Sequence, residues 1–144
     1  MLNYKKGEFS MTTKELKFFD VAKSVAKTSE YPRIKIGCCI VKRNKILAVG
    51  VNLLKSHPVQ KRFNKYRGID TNRIHNNIHA ELDAVIKVAN KEDLCGSDIY
   101  LYREDMFGVK KISKPCPACT RILKLYGIKN IYYTDINKYC KERL

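Results

Sequence analysis

The stretch NNIHAELDAVIKV, residues 76–88, opens on polar groups and closes on apolar ones. From Ala80 onward, Leu82, Ala84, Val85, Ile86, Val88 and Ala89 are apolar nearly all round a helical wheel. That pattern predicts a helix over about 79–91, buried on most of its sides. Such a helix has to be enclosed by other elements, so the fold is layered around it. His79 and Glu81 stand at its mouth, one residue apart. Titratable groups beside a buried helix are costly unless they are paired or used.

On the N-terminal side, IKIGCCIV (34–41) and KILAVGVN (45–52) read as two strands joined by a short polar hairpin. Their near-continuous apolar character predicts burial on both faces. Residues 12–28 read as a helix, with Thr12 and Glu15 in capping-box spacing and Tyr31-Pro32 closing it. Residues 53–78 are polar and basic and read as one long loop.

On the C-terminal side, SDIYLYR (97–103) is a third strand, EDMFGVKKIS a loop, PACTRILKLYG (117–127) a short helix and KNIYYTD (129–135) a fourth strand. The tail INKYCKERL reads as a final helical turn or two. The order α-β-β-α-β-α-β implies an α/β fold. We expect a three-layer α-β-α sandwich on a mixed sheet of four or five strands, the first pair antiparallel, forming a single domain over 1–144.

The chain has 144 residues and a formal charge of +15. No apolar run reaches the length of a membrane span. The N-terminus MLNYKKGEFSMTTKELKFFD lacks the apolar core and cleavage site of a secretory leader, so a cytoplasmic location is expected. In a reducing compartment the six cysteines need not be disulfides, and clustered ones point to metal or reactivity. The positive charge is uneven. Nine basic residues against one acid, Asp70, lie between Lys42 and Arg73, and six against none between Lys110 and Lys129. One reading is a solvated lysine-rich surface; the other is attraction to phosphate.

SKPCPACTRIL, residues 113–123, supplies the counterpart of the opening stretch. Cys116 and Cys119 fall in the first turn of a helix, where the N-terminal partial charge favours thiolates. With His79 they make three ligands for one Zn²⁺ per chain, the number that leaves a tetrahedral position open for chemistry. Glu81 is then placed to take and return a proton beside the metal.

H-A-E at 79–81 and P-C-P-A-C at 115–119 resemble the signature of the zinc-dependent cytidine and deoxycytidylate deaminase superfamily. The resemblance spans roughly residues 12–135 and is specific in those two motifs. It implies a cytidine deaminase-like fold and a hydrolytic attack at C4 of cytosine or C6 of adenine, with Glu81 as the catalytic proton carrier. It also implies a homo-oligomer. AVGVN (48–52) is similar to the family's second strand, which by that match makes Asn52 a sugar contact and the Ala80 backbone a base contact. Relatives often continue past the fourth strand to a fifth, whereas this chain ends soon after it.

Histidine at position 79 is typical of the family's deoxycytidylate, transfer-RNA adenosine, polynucleotide cytosine and guanine deaminases rather than its free-nucleoside enzymes. The layout is nearest to deoxycytidylate deaminases. The expected substrate is therefore a cytosine nucleotide, with Lys55, Lys61, Arg62, Lys65 and Arg67 as phosphate-binding candidates. A deaminase acting on cytosine or adenine in single-stranded DNA or RNA is the second reading. A zinc-stabilised nucleic-acid-binding module without catalysis is the third, and Glu81 argues against it. Phe63 and Tyr66, interleaved with the loop cations, suit stacking on a base or packing in the loop. Cys38, Cys39, Cys95 and Cys140 read as packing residues. His57 and His75 read as loop residues.

Overall fold

The computed structural model describes residues 10–144, so the first nine residues of the N-terminal stretch, read above as lacking the features of a secretory leader, lie outside the described residues. Helix α1 (Thr13–Ala26) starts where the sequence places it: Thr12 and Glu15 exchange both capping bonds, at 3.0 and 3.1 Å. Strands β1 (Ile34–Lys42) and β2 (Lys45–Val51) pair antiparallel. Arg43 and Asn44 between them both have positive φ (51° and 64°), the conformation of a two-residue hairpin turn that follows the strand twist.

The remaining elements are α2 (Pro58–Asn64), α3 (Ala80–Lys87), β3 (Asp98–Asp105), β4 (Lys110–Lys111), α4 (Pro117–Leu125), β5 (Asn130–Thr134) and β6 (Tyr139–Arg143). The sheet order is β2-β1-β3-β5-β6, with β4 on β3; β3 and β5 are parallel and the other pairs antiparallel.

Strand alternation sorts the core into two halves. Cys39, Val41, Tyr100 and Tyr132 face α1 through Phe18 and Phe19, with the Tyr100 and Tyr132 rings stacked at 4.2 Å. Cys38, Ile40, Ile99, Leu101 and Ile131 face α3 and α4 through Ala84, Val85 and Leu123. The expected three layers are present. Gly50 sets how closely α3 sits on the sheet, since a Cβ there would lie 2.2 Å from the Ala80 carbonyl oxygen.

Four expectations change. The sheet has six strands rather than four or five. One addition is β4, within the expected loop 104–113. The other is the tail, which forms β6 instead of a helical turn: its backbone satisfies the open edge of β5, and alternation buries Cys140 while Lys141 stays exposed. Strand β2 is an edge strand, with Ile46 43% exposed, so it is not buried on both faces. Residues 53–78 are not one loop. They hold α2 and a 3₁₀ turn, Lys65–Arg67, closed by Gly68 at φ 71°. His57 caps α2 by accepting the Val59 N–H at 3.1 Å, and Pro58 follows at the first helical position.

Among the described residues no helix is long and apolar enough to cross a membrane.

Candidate active site

Two helix N-termini meet on the α3–α4 side of the sheet. His79 is the N-cap of α3, with extended backbone (φ −77°, ψ 156°), and is not its first helical residue. The roughly 200° that two residues subtend on a helix therefore does not separate it from Glu81. Cys116 is the N-cap of α4, followed by Pro117, and its sulfur accepts the Cys119 N–H at 3.5 Å. A helix ordinarily leaves its first N–H groups unpaired, so the N-cap sulfur is placed where negative charge is favoured.

His79 Nδ1 lies 3.5 Å from Cys116 Sγ and 3.4 Å from Cys119 Sγ, and all three donor atoms lie within 4.8 Å of one another. Zinc bonds of about 2.1 Å to nitrogen and 2.3 Å to sulfur put tetrahedral neighbours about 3.6 Å apart. One imidazole and two thiols at this spacing fit a zinc ion. In the metal-free chain, the Cys119 thiol and the His79 ring hold the Cys116 thiol well below the ordinary cysteine range. The Cys116 sulfur and burial push Cys119 up, so the pair carries its first negative charge on Cys116. Burial disfavours the His79 imidazolium, but the Cys116 sulfur and the Glu81 carboxylate outweigh it and raise the ring.

Glu81 is 5% exposed, and its carboxyl lies against the Cys119 thiol. Burial raises it above the usual carboxylate range, opposed by His79. A raised carboxyl beside a metal site can both accept and return a proton near neutral pH.

His79, Glu81 and Cys116 form one wall of a cavity of about 410 Å³, with Cys119 fully buried and outside its lining. Asn52 and Ser113 line it, Ile36, Ile78 and Ile112 supply apolar surface, and Arg67, Arg103 and Lys114 converge on it. Asn52 has little freedom there. Its Oδ1 accepts from Ser29 Oγ (2.6 Å) and the Ile36 N–H (3.1 Å), while its Nδ2 donates to the Ile34 carbonyl (2.9 Å). One amide hydrogen is left for a ligand, so Asn52 can act there only as a donor. Ala80 is fully buried at the start of α3, and its carbonyl lies 3.2 Å from Cys38 Sγ.

Of the five phosphate candidates, only Arg67 lines the cavity; Lys55, Lys61, Arg62 and Lys65 do not. The segment that carries them is held by amide contacts instead. Buried Gln60 accepts the His79 N–H at 3.0 Å and donates to Asn64 at 2.9 Å, and Asn64 donates to Asn76 at 3.0 Å. Asp83 anchors α3 from the other side, accepting the Val51 N–H at 3.0 Å and the Lys87 ammonium at 2.8 Å. Sequence reasoning missed Arg103, Lys114 and Gln60. Lys114 stands two residues before Cys116 and was legible as an approach to the motif. Arg103 lies toward the C-terminal end of a strand with a parallel neighbour, where ligands commonly sit. Gln60 carries no sequence signal of its own.

Comparison with known proteins agrees with this geometry. The family described as "Cytidine and deoxycytidylate deaminase zinc-binding region" matches residues 12–135, and the chain belongs to it. It is a zinc-dependent deaminase. A protein of Aliivibrio fischeri described as an uncharacterized deaminase in the luxG 3′ region is 29% identical over 121 residues, 81% of this chain and 69% of that one. The solved dCMP deaminase of cyanophage S-TIM5, in apo form, is 25% identical with a TM-score of 0.60, covering 87% of this chain and 86% of that one. The same phage enzyme in complex with dCMP and dUMP matches at 21% identity and a TM-score of 0.57, over 85% and 82% of the two chains, and supports the fold.

Proposed function

We propose that this member of the family hydrolytically deaminates the cytosine ring of a phosphorylated nucleoside, a mononucleotide of the dCMP kind. One observation carries the reading. A single cavity of nucleotide size joins His79 and Cys116 of the metal donor set and buried Glu81 on one wall to Arg67, Arg103 and Lys114 around it. Such a cavity can seat a base against the donors and an anion against the cations. Similarity to a dCMP deaminase at 25% identity supports the same substrate class.

Zinc, held by His79, Cys116 and Cys119, supplies the Lewis acidity that makes water a nucleophile near neutral pH. Glu81 takes the proton from that water and delivers it to the ring nitrogen, N3. Water oxygen adds to C4. Glu81 then takes the second proton from the new C4 hydroxyl and passes it to the amino group; as the C4=O forms the C4–N bond breaks, and ammonia and the uracil nucleotide are released. The free hydrogen of Asn52 Nδ2 donates to the sugar, and the Ala80 backbone meets the base. By the same family resemblance the chain is proposed to act as a homo-oligomer, which light scattering on the purified protein tests.

The deciding experiment is a substrate panel of dCMP, CMP, cytidine, dCTP, guanine, single-stranded oligonucleotides and tRNA, read by mass change and ammonia release. Preferred turnover of a monophosphate over cytidine is expected. Equal turnover of cytidine and dCMP would remove the phosphate from the reading. Turnover of polynucleotides alone would replace the mononucleotide with a base in a strand.

A further inference from the structure

The cavity cations are not the end of the positive charge. Helix α2, the 3₁₀ turn after it and α4 pack together, with Val59 and Phe63 of α2 and Ile122 of α4 in one apolar cluster that Leu82 of α3 completes. Their outer face presents Arg62, Lys65, Arg67 and Arg121, all exposed. The ion pairs among the described residues involve other cations, so none of these four has a carboxylate partner there. One nucleotide phosphate needs one or two cations, and the cavity already offers Arg67 and Arg103, with Lys114 beside them paired to Glu142 at 3.1 Å; Arg62, Lys65 and Arg121 lie outside it. The charge outside it exceeds what a mononucleotide uses.

The same face carries aromatic rings in reach of those cations. Tyr66 is 40% exposed, with the Arg121 guanidinium 4.6 Å and the Lys65 ammonium 5.2 Å from its ring centre. Phe63 lies 6.1 Å from Tyr66 and has Arg62 at 5.6 Å. Cations set beside an exposed aromatic ring, without acids to neutralise them, match a backbone of phosphates whose bases stack. The surface is preformed, because the buried amides of Gln60, Asn64 and Asn76 fix α2 from beneath. It also leads to the site: Arg67 belongs to both the face and the cavity lining, and the first helical turn of α4 follows directly on Cys116.

We propose that the outer face of α2, the 3₁₀ turn and α4 binds single-stranded polynucleotide, with the strand passing the mouth of the deaminase cavity at Arg67. The proposed function is needed only to say what lies where the strand ends, because strand binding is measured without turnover.

The test uses the zinc-loaded full chain and fluorescein-labelled oligothymidylate of about 15 nucleotides, near the upper site size of small single-strand-binding folds. This probe contains no cytosine. Fluorescence anisotropy should show binding whose log–log salt slope is about −2 to −3, the value for three or four phosphate contacts on a single strand. Tyr66→Ala should weaken binding about tenfold, and Tyr66→Phe, which keeps the ring, should leave it within about twofold. Replacing Arg62, Lys65 and Arg121 together by Glu should weaken it at least a hundredfold or so at low salt. The matching control replaces Lys42, Arg43 and Lys45, a basic cluster at the β1–β2 turn, and should cost less than about threefold. An equal loss in the control would show only the attraction of a +15 protein for any polyanion, and would overturn the proposal. So would duplex DNA binding as tightly as the single strand. If the face triple does not fold, the Tyr66 pair decides alone: equal affinity of Tyr66→Ala and wild type sinks the stacking surface. Oligothymidylate binding without dCMP turnover would defeat the proposed function and leave this inference standing; the reverse result would do the opposite.

Discussion

The side-chain carbonyl of Gln60 accepts the backbone N–H of His79 at 3.0 Å, so a fully buried amide from α2 fixes the peptide that carries the histidine ligand. The Gln60 amide is in turn spent on Asn64, and Asn64 on Asn76. Removing one member leaves buried groups unpaired. Gln60→Ala should destabilise the fold by about 1–3 kcal/mol. It should also weaken zinc binding by about tenfold to a hundredfold, the scale seen when outer partners of metal ligands are lost. Chelator competition separates the two effects: a lower melting temperature with unchanged zinc affinity would reduce Gln60 to a packing role.

The donor set predicts about one zinc per chain. Cys116→Ala and Cys119→Ala should each lower occupancy, and because metal binding and folding are coupled, chelation should lower the melting temperature of the wild type more than that of either variant. Elemental analysis of the double variant checks the assignment. Full occupancy there would mean that other residues hold the metal.

Glu81 touches the metal centre without belonging to its donor triad. Glu81→Gln keeps the shape and loses the proton carrier, so zinc content should stay at the wild-type level while turnover falls by about 10²-fold or more. Activity within a few-fold of wild type would remove Glu81 from the chemistry, and a zinc-free variant would make it a ligand instead.

Gly50 lies beneath the start of α3, and an added Cβ would stand 2.2 Å from Ala80 O and 2.5 Å from Ala84 N, both backbone atoms. These atoms move only if the helix does. Gly50→Ala should therefore cost about 3 kcal/mol, the upper end for overpacking, and shift His79 and Glu81 together. Chemical denaturation and zinc occupancy measured side by side test this; a variant as stable as wild type would show that α3 can slide.

Much of the chemistry was legible because it is local. His79, Glu81, Cys116 and Cys119 lie in two short motifs, and each motif opens a helix whose apolar pattern announces it. The capping box of α1 and the β1–β2 hairpin are local for the same reason. What escaped depends on partners distant in sequence. The tail INKYCKERL has too little apolar surface to announce a strand, and becomes one only because β5 offers an unpaired edge. Arg103 is unremarkable in sequence, and Lys114 is marked only by its place two residues before Cys116; both become site residues because the folded chain brings them to the cavity that His79 lines. Helix α2 is the exception: His57-Pro58 and Gly68 mark its start and the end of the turn after it, and the dense charge between them obscured an ordinary helical signal.

The six cysteines differ enough in setting to give a thiol count that reports on the site. Cys38 and Cys39 are fully buried, and burial pushes both thiols up, Cys39 to about 12. Cys140 is buried as well, whereas Cys95 is exposed. With zinc bound, Cys116 and Cys119 are occupied as ligands, so iodoacetamide should label Cys95 rapidly and the other five slowly. Removing zinc under conditions where the protein stays folded should expose one further reactive thiol, Cys116. Its lowered pKa means it remains thiolate as pH falls, so its alkylation should change little between pH 8 and 6. Free cysteine, titrating near 8.5, loses nearly tenfold in rate per pH unit over the lower part of that range. Cys119, pushed up by the Cys116 sulfur and by burial, should stay unlabelled. Peptide mapping after timed alkylation reads each site. Cys116 labelling that falls in step with free cysteine would contradict the shared-thiolate picture, and labelling of Cys38 in the zinc-loaded chain would contradict the packing of β1.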